Sequence, residues 1–121
     1  PALSWSSHAW SARERSAAPI NALPPWAPDA VKVTKGKDNI VVYHTSPNSL
    51  RKGCKHCGGH LMTEHPEWKL VDVYAAIIPS VAFRPMLHVN YQETVLPMKD
   101  GLPKQKNFPK ELGGTGELIA E

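Results

Sequence analysis

The residues best suited to carry chemistry are the two cysteines, Cys54 and Cys57, which stand three positions apart and precede two glycines. Two thiolates at this spacing on a tight turn can ligate one tetrahedral Zn²⁺ ion. Glycine after the second cysteine lets the chain turn back beneath a metal and lets backbone N–H groups approach the sulfur atoms. Lys52 and Lys55 nearby favour ionised thiols. The motif therefore predicts half of a structural zinc site.

Other uses of this pair stay open at this point. An inert pair or a disulfide needs no metal, and a redox dithiol of the thioredoxin kind needs a following helix in a βαβ context, which the sequence does not indicate. A closed zinc site needs two further ligands, and the chain contains no other cysteine. Four histidines lie near the pair, at spacings that match no zinc-finger pattern well: His44, His56, His60 and His65. Of these, His56 is expected to be a solvated side chain.

Length and composition narrow the class of protein. A chain of 121 residues predicts a single domain over residues 1–121. The formal net charge of +3 is too small to indicate a nucleic-acid or membrane partner, and no apolar run reaches the roughly 18 residues of a membrane-spanning helix. Two cysteines are too few for a disulfide-stapled secreted scaffold, so we expect a cytoplasmic protein. The chain begins with Pro1 instead of Met, so we expect it to be truncated at its N-terminus.

Short strands with long connections must position the cysteine turn, so the fold class is expected to be all-β. The twelve prolines disfavour a helical bundle, because internal prolines break helices. Alternating and β-branched runs predict a hairpin of 30–34 with 40–44, a short strand at 50–52, a buried strand at 70–78 and a strand at 86–96.

The two ends of the chain are expected to be irregular. Residues 1–28 show no clean period, apart from a short helix over 11–18 in which Ser11 is the N-cap and Glu14 completes a capping box. The last 25 residues contain turn sequences and predict an extended wrap with at most one short helix.

Several separated motifs, in the same order, resemble the glutathione-dependent formaldehyde-activating enzyme family, which is shared with centromere protein V. The segments that carry this resemblance are residues 53–62, 71–76, 88–96, 99–104 and 108–117. The resemblance implies small β-sheets around two zinc sites. It also implies carbon–sulfur lyase chemistry on the adduct of a small thiol, glutathione, with formaldehyde.

The resemblance further implies which positions hold each zinc ion. A structural zinc takes an upstream C-x-C, which would lie before Pro1, together with Cys54 and Cys57. A catalytic zinc takes three thiolates from C-x-C-x-x-C, which align with Ser7, Ala9 and Ala12, followed by a basic residue at Arg13. Three protein ligands leave an open position for substrate. All three thiols are absent here, so we expect weak or no lyase activity, with Arg13 as a candidate contact for a ligand carboxylate.

The remaining candidates have structural alternatives. Trp5, Trp10 and Trp26 either line an apolar binding surface or cover a small core. His88 and Tyr91, three apart on a predicted strand, are expected on opposite faces, in a cleft or in packing. The basic residues are expected to form a solvated face: Arg51, Lys52, Lys104, Lys106 and Lys110.

The sequence therefore favours a member of this zinc-dependent family that has lost its catalytic ligands. The alternatives are a non-enzymatic zinc-ribbon module and a metal-free binding scaffold. The modest charge and the absence of a second C-x-x-C argue against a nucleic-acid-binding ribbon.

Overall fold

The structure is a computed structural model that describes residues 4–121. These residues form two compact units, one made of residues 24–81 and the other of residues 4–23 and 82–121. Taken over all described residues, the structure is mainly β, as the sequence predicts. The elements are β1 (Trp5–Ser7), α1 (Trp10–Ser16), β2 (Asn21–Leu23), β3 (Pro25–Trp26), β4 (Ile40–Ser46), β5 (Ser49–Cys54), β6 (His60–His65), β7 (Leu70–Val73) and β8 (Leu87–Val89).

The unit of residues 24–81 is a five-stranded antiparallel sheet in the order β3-β7-β6-β5-β4. Strand β7 is its most buried strand, with Val71 and Val73 each at most 7% exposed. The predicted buried strand is therefore confirmed over Leu70–Val73 but ends there, because a 3₁₀ turn occupies Ala75–Ile77.

The predicted hairpin of residues 30–34 with 40–44 is wrong. Strand β4 pairs with β5 around a turn at Pro47 and Asn48, while residues 30–34 pair with no strand among the described residues. The apolar side chains that alternate along residues 30–34 are not buried, and Val33 is 39% exposed. Short 3₁₀ turns at Pro28–Ala30 and Lys37–Asn39 take up the flanking chain instead.

The second unit contains a three-stranded sheet in the order β2-β1-β8, with β1 antiparallel to β2 and parallel to β8. Its core includes Trp5 and Val89, both at most 1% exposed, and the Trp5 ring packs against Phe108. The chain beyond residue 97 contains isolated bridges and a single 3₁₀ turn at Lys110–Leu112, which confirms the prediction of at most one short helix.

Two boundaries in this unit differ from the prediction. The predicted strand at 86–96 is only Leu87–Val89, because Asn90 adopts a left-handed conformation (φ 53°) and turns the chain into a 3₁₀ helix. The predicted N-cap Ser11 lies inside α1, whose N-cap is Ala9, so the capping box does not form. Within the described residues 4–121, no helix combines the length and apolar character that crossing a bilayer would require.

Candidate functional site

The Cys54–Cys57 turn begins at the end of β5 and is held by two backbone hydrogen bonds. The Gly58 N–H donates to the Cys54 carbonyl at 2.9 Å, and the Cys54 N–H donates to the Gly59 carbonyl at 2.9 Å, which closes the turn. Gly58 has φ 71°, a value that glycine adopts without the steric cost of a side chain. The backbone of this turn therefore needs glycine after Cys57, as the sequence predicts.

Backbone donors point at both sulfur atoms. The Gly59 N–H donates to the Cys57 Sγ at 3.4 Å. Hydrogen bonds from the backbone N–H groups of Cys57 and His56, followed by one from the Cys57 thiol, lower the pKa of the Cys54 thiol. The source of this stabilisation is thus the turn itself and not Lys52 or Lys55. Both cysteines are free thiols, half-buried at Cys54 and exposed at Cys57.

The histidines do not complete a ligand set with these thiols. His56 is exposed, as expected, and pairs with the Asn39 side chain at 3.1 Å, while His44 lies exposed on β4. His65 is buried and bonded to Asp72 at 2.8 Å. Throughout residues 4–121, no three side chains of His, Cys, Asp or Glu are arranged to hold a metal ion. Cys54 and Cys57 by themselves supply two of the four ligands that a closed zinc site needs.

The positions aligned with the catalytic triad do not suit a metal. Ser7 ends β1, Ala9 caps α1 and Ala12 lies in its first turns. The Ser7 hydroxyl is buried and accepts the Ala9 N–H at 3.3 Å, and the two alanine methyl groups offer no donor atom. These three residues are therefore not metal ligands, and no chemistry of a bound metal follows from them.

Arg13, the other aligned residue, holds the main chain. Its guanidinium donates through Nε to the His8 carbonyl and through Nη2 to the Glu93 carbonyl, both at 3.0 Å. It also lies 5.3 Å from the centroid of the exposed Trp10 ring. These contacts fix the segment around Glu93 beside the start of α1.

A line of hydrogen-bonded side chains next to this segment is the most developed polar array in the unit. The Thr94 hydroxyl pairs with Nδ1 of His8 at 2.8 Å, Nε2 of His8 pairs with Nδ1 of His88 at 2.9 Å, and Nε2 of His88 pairs with Asp100 at 2.6 Å. We call these four residues the histidine relay. His8 and His88 are at most 1% exposed, whereas Thr94 is half-buried.

The Asp100 end of the histidine relay is fixed by a buried lysine. Lys104 donates from Nζ to Asp100, to the Leu102 carbonyl at 2.9 Å and to Glu121 at 2.9 Å. Burial disfavours the charged form of Asp100. The hydrogen bonds from Lys104 and His88 outweigh this effect and hold the pKa of Asp100 well below its usual range. The bonds to Asp100 and Glu121 likewise outweigh burial and raise the Lys104 pKa.

Sequence reasoning missed the histidine relay. His88 and Tyr91, expected on opposite faces of a strand, lie with ring centroids 5.8 Å apart because the chain turns at Asn90. Lys104 and Arg51, expected on a solvated face, are 1% and 7% exposed, since each has polar partners inside its unit. The one local sign of this cluster in the sequence is the spacing of Asp100 and Lys104, which stand four residues apart and form an ion pair.

The three tryptophans differ in burial, and only the packing role of Trp5 is confirmed. Trp5 belongs to the core, Trp26 is half-buried and Trp10 is 57% exposed.

Comparison of the chain with protein-family models and with curated proteins finds no match.

Proposed function

We propose that this chain binds zinc through the Cys54–Cys57 turn and is a member of the formaldehyde-activating enzyme family with little or no carbon–sulfur lyase activity. The observation that carries the proposal is the set of N–H groups directed at the two sulfur atoms. Such bonds stabilise thiolates, and the thiolate is the form that ligates metal. A bound zinc ion would cross-link the end of β5 to the turn that follows it and contribute to folding free energy.

The proposal limits what the chain does with the family's substrate. Ser7, Ala9 and Ala12 supply no thiolate, so the chemistry that needs a three-ligand zinc has no ligands here. A small thiol such as glutathione, or its aldehyde adduct, remains the expected partner. The cytoplasm, where glutathione keeps thiols reduced, suits both the partner and the free cysteines.

A Co²⁺ titration tests the proposal, because cobalt replaces zinc in thiolate sites and its thiolate charge-transfer band reports how many sulfur atoms bind. We expect a saturable band whose intensity corresponds to two bound thiolates per chain and which Zn²⁺ abolishes. Cys54→Ser and Cys57→Ser should each reduce it to no more than one thiolate. His56→Ala is the matched control, since His56 lies on the same turn yet pairs with Asn39.

The stoichiometry of the same titration distinguishes how the site is closed. One ion per chain indicates that water or other groups complete the ligand set, and one ion per two chains indicates a site shared between copies. A chain that shows no band, or a band that survives both serine substitutions, would contradict the proposal and favour a metal-free binding scaffold.

A further inference from the structure

The hydrogen-bond partners fix where the protons of the histidine relay lie when His8 and His88 are both neutral. The ionised Asp100 carboxylate only accepts, so His88 donates to it from Nε2. Nδ1 of a neutral His88 is then an acceptor, and His8 donates to it from Nε2. Nδ1 of His8 is left to accept, so the Thr94 hydroxyl donates to it. All three bonds therefore point from Thr94 toward Asp100.

This order of groups is one that activates a hydroxyl. A hydroxyl bonded to an imidazole that is oriented by a carboxylate is the general arrangement of nucleophile, base and orienting group, here with a second imidazole between base and carboxylate. Thr94 is the only one of the three donors in the line that is not fully buried. In addition, the Leu96 N–H donates to the Thr94 oxygen at 3.1 Å, which favours negative charge on that oxygen.

We propose that Thr94 is a nucleophile, activated by the histidine relay, that accepts acyl groups from small activated esters. As the Thr94 oxygen bonds to the carbonyl carbon, its proton moves to Nδ1 of His8. The Nε2 proton of His8 moves to Nδ1 of His88, so the positive charge rests on His88 beside Asp100. The bond from the carbonyl carbon to the leaving oxygen then breaks, the leaving alcohol takes the proton back by the reverse path, and Thr94 carries the acyl ester.

The surroundings explain why the second imidazole is needed. Burial, followed by the nearby His88, Arg13 and Lys104, lowers the pKa of His8 to about 4, although Asp100 opposes this. The other groups that face His8 are the Thr94 hydroxyl and the Tyr91 ring, whose centroid is 4.8 Å away. A proton that stayed on His8 would be costly, whereas a proton passed to His88 lies next to a carboxylate. His8 is thus the base and His88 a positioning residue that receives the charge.

The test uses p-nitrophenyl acetate with the full chain. We expect release of p-nitrophenol and one acetyl group on the peptide that contains Thr94, removable by hydroxylamine as an ester is. Thr94→Val should abolish this adduct, and Thr94→Ser should retain it. Thr115→Val is the matched control, because the Thr115 hydroxyl lies in the same unit but bonds to the Asn107 amide instead of a histidine.

Variants of the two histidines test the path of the proton. His8→Asn and His88→Asn should each slow acetylation of Thr94 about 100-fold, the range that general base catalysis supplies. In the His88→Asn variant, the acid limb of the pH–rate profile, which reports protonation of the base His8, should also shift to higher pH, because His88 lowers the pKa of His8. A purely structural role of His88 would leave the limb in place. Hydroxylamine-resistant adducts on lysines alone, or equal labelling of the wild type and Thr94→Val, would overturn the proposal. This outcome is independent of zinc binding at Cys54 and Cys57.

Discussion

At the scale of single residues, Lys104 stabilises the fold through its buried charge. Its ammonium group is fully buried and donates to Asp100, Leu102 and Glu121. Lys104→Met keeps the length of the side chain but leaves the two carboxylates without their cation. Because both carboxylates are about one-third exposed, water replaces part of the loss, and we expect the free energy of unfolding to fall by about 2–3 kcal/mol, below the range for fully buried pairs. Urea denaturation measures this change.

Lys106→Met is the control for this substitution. Lys106 stands two residues away in the same segment and pairs with Glu117 at 3.7 Å, with both side chains largely exposed. Exposed pairs of this kind contribute at most about 1 kcal/mol. Equal losses in the two variants would show that the burial of Lys104 does not determine its contribution.

The sequence shows Asp100 four residues from Lys104, but it could not predict that Lys104 is buried, because other residues of this cluster are distant along the chain. Glu121 is 17 residues away, and His88, which shares Asp100 with Lys104, is 16 residues away on β8. A lysine among turns and prolines has the local pattern of a solvated side chain. In contrast, the conformation around Cys54 and Cys57 could be predicted, because glycine at Gly58 and the spacing of the sulfur atoms are local constraints.

At the scale of elements, the resemblance implies that the end of β1 and the start of α1 place positions 7, 9 and 12 around one metal ion. We predict that the triple variant Ser7→Cys, Ala9→Cys, Ala12→Cys binds one further zinc ion per chain, because three thiolates at these positions form an open site. Metal analysis after gel filtration measures the ratio of zinc to protein. The double variant that keeps Ala12 is the control and should gain little, since it offers two thiolates.

The triple variant also tests the resemblance itself. An unchanged zinc ratio in a folded triple variant would mean that the β1–α1 backbone does not place these positions around one ion. The alignment of Ser7, Ala9 and Ala12 with the family's triad would then fail.

Sequence analysis correctly predicted strands at 40–44, at 50–52 and within 70–78, which are parts of β4, β5 and β7. Strand β7 was found because Val71 and Val73 are β-branched and buried. The pairing of β4 was missed because this edge strand is exposed, with Val41, Val42 and Tyr43 each at least 44% accessible, so its apolar residues mark no core face. The strands β1, β2 and β3 have two or three residues each, too few for a period to be read.

At the scale of the whole molecule, the two groups of candidate functional residues lie in different units. The thiols belong to the unit of residues 24–81, and the histidine relay belongs to the unit of residues 4–23 and 82–121. Removal of zinc with a chelator is therefore expected to act on the first of these units, and protonation of His8 on the second.

The stability of the molecule should decrease in mild acid because of His8. Its folded-state pKa of about 4 lies below the ordinary value of 6.5, so between these two values the unfolded chain binds a proton that the folded chain does not. The free energy of unfolding should thus fall as the pH is lowered from 6.5 to 4, by about 3 kcal/mol in total, with no further loss from this group below pH 4. Urea denaturation at pH values across this window measures the slope.

His8→Asn separates this effect from other acid-sensitive groups. Asparagine keeps an acceptor for the Thr94 hydroxyl and cannot titrate, so the variant should be less stable than the wild type at pH 7 and show a flatter slope between pH 6.5 and 4. His44→Asn, at an exposed position on β4, should keep the wild-type slope. If His8→Asn lost stability with acid as steeply as the wild type, the acid sensitivity would arise elsewhere. The pH dependence of stability would then no longer support a neutral His8, which the proton arrangement of the histidine relay requires.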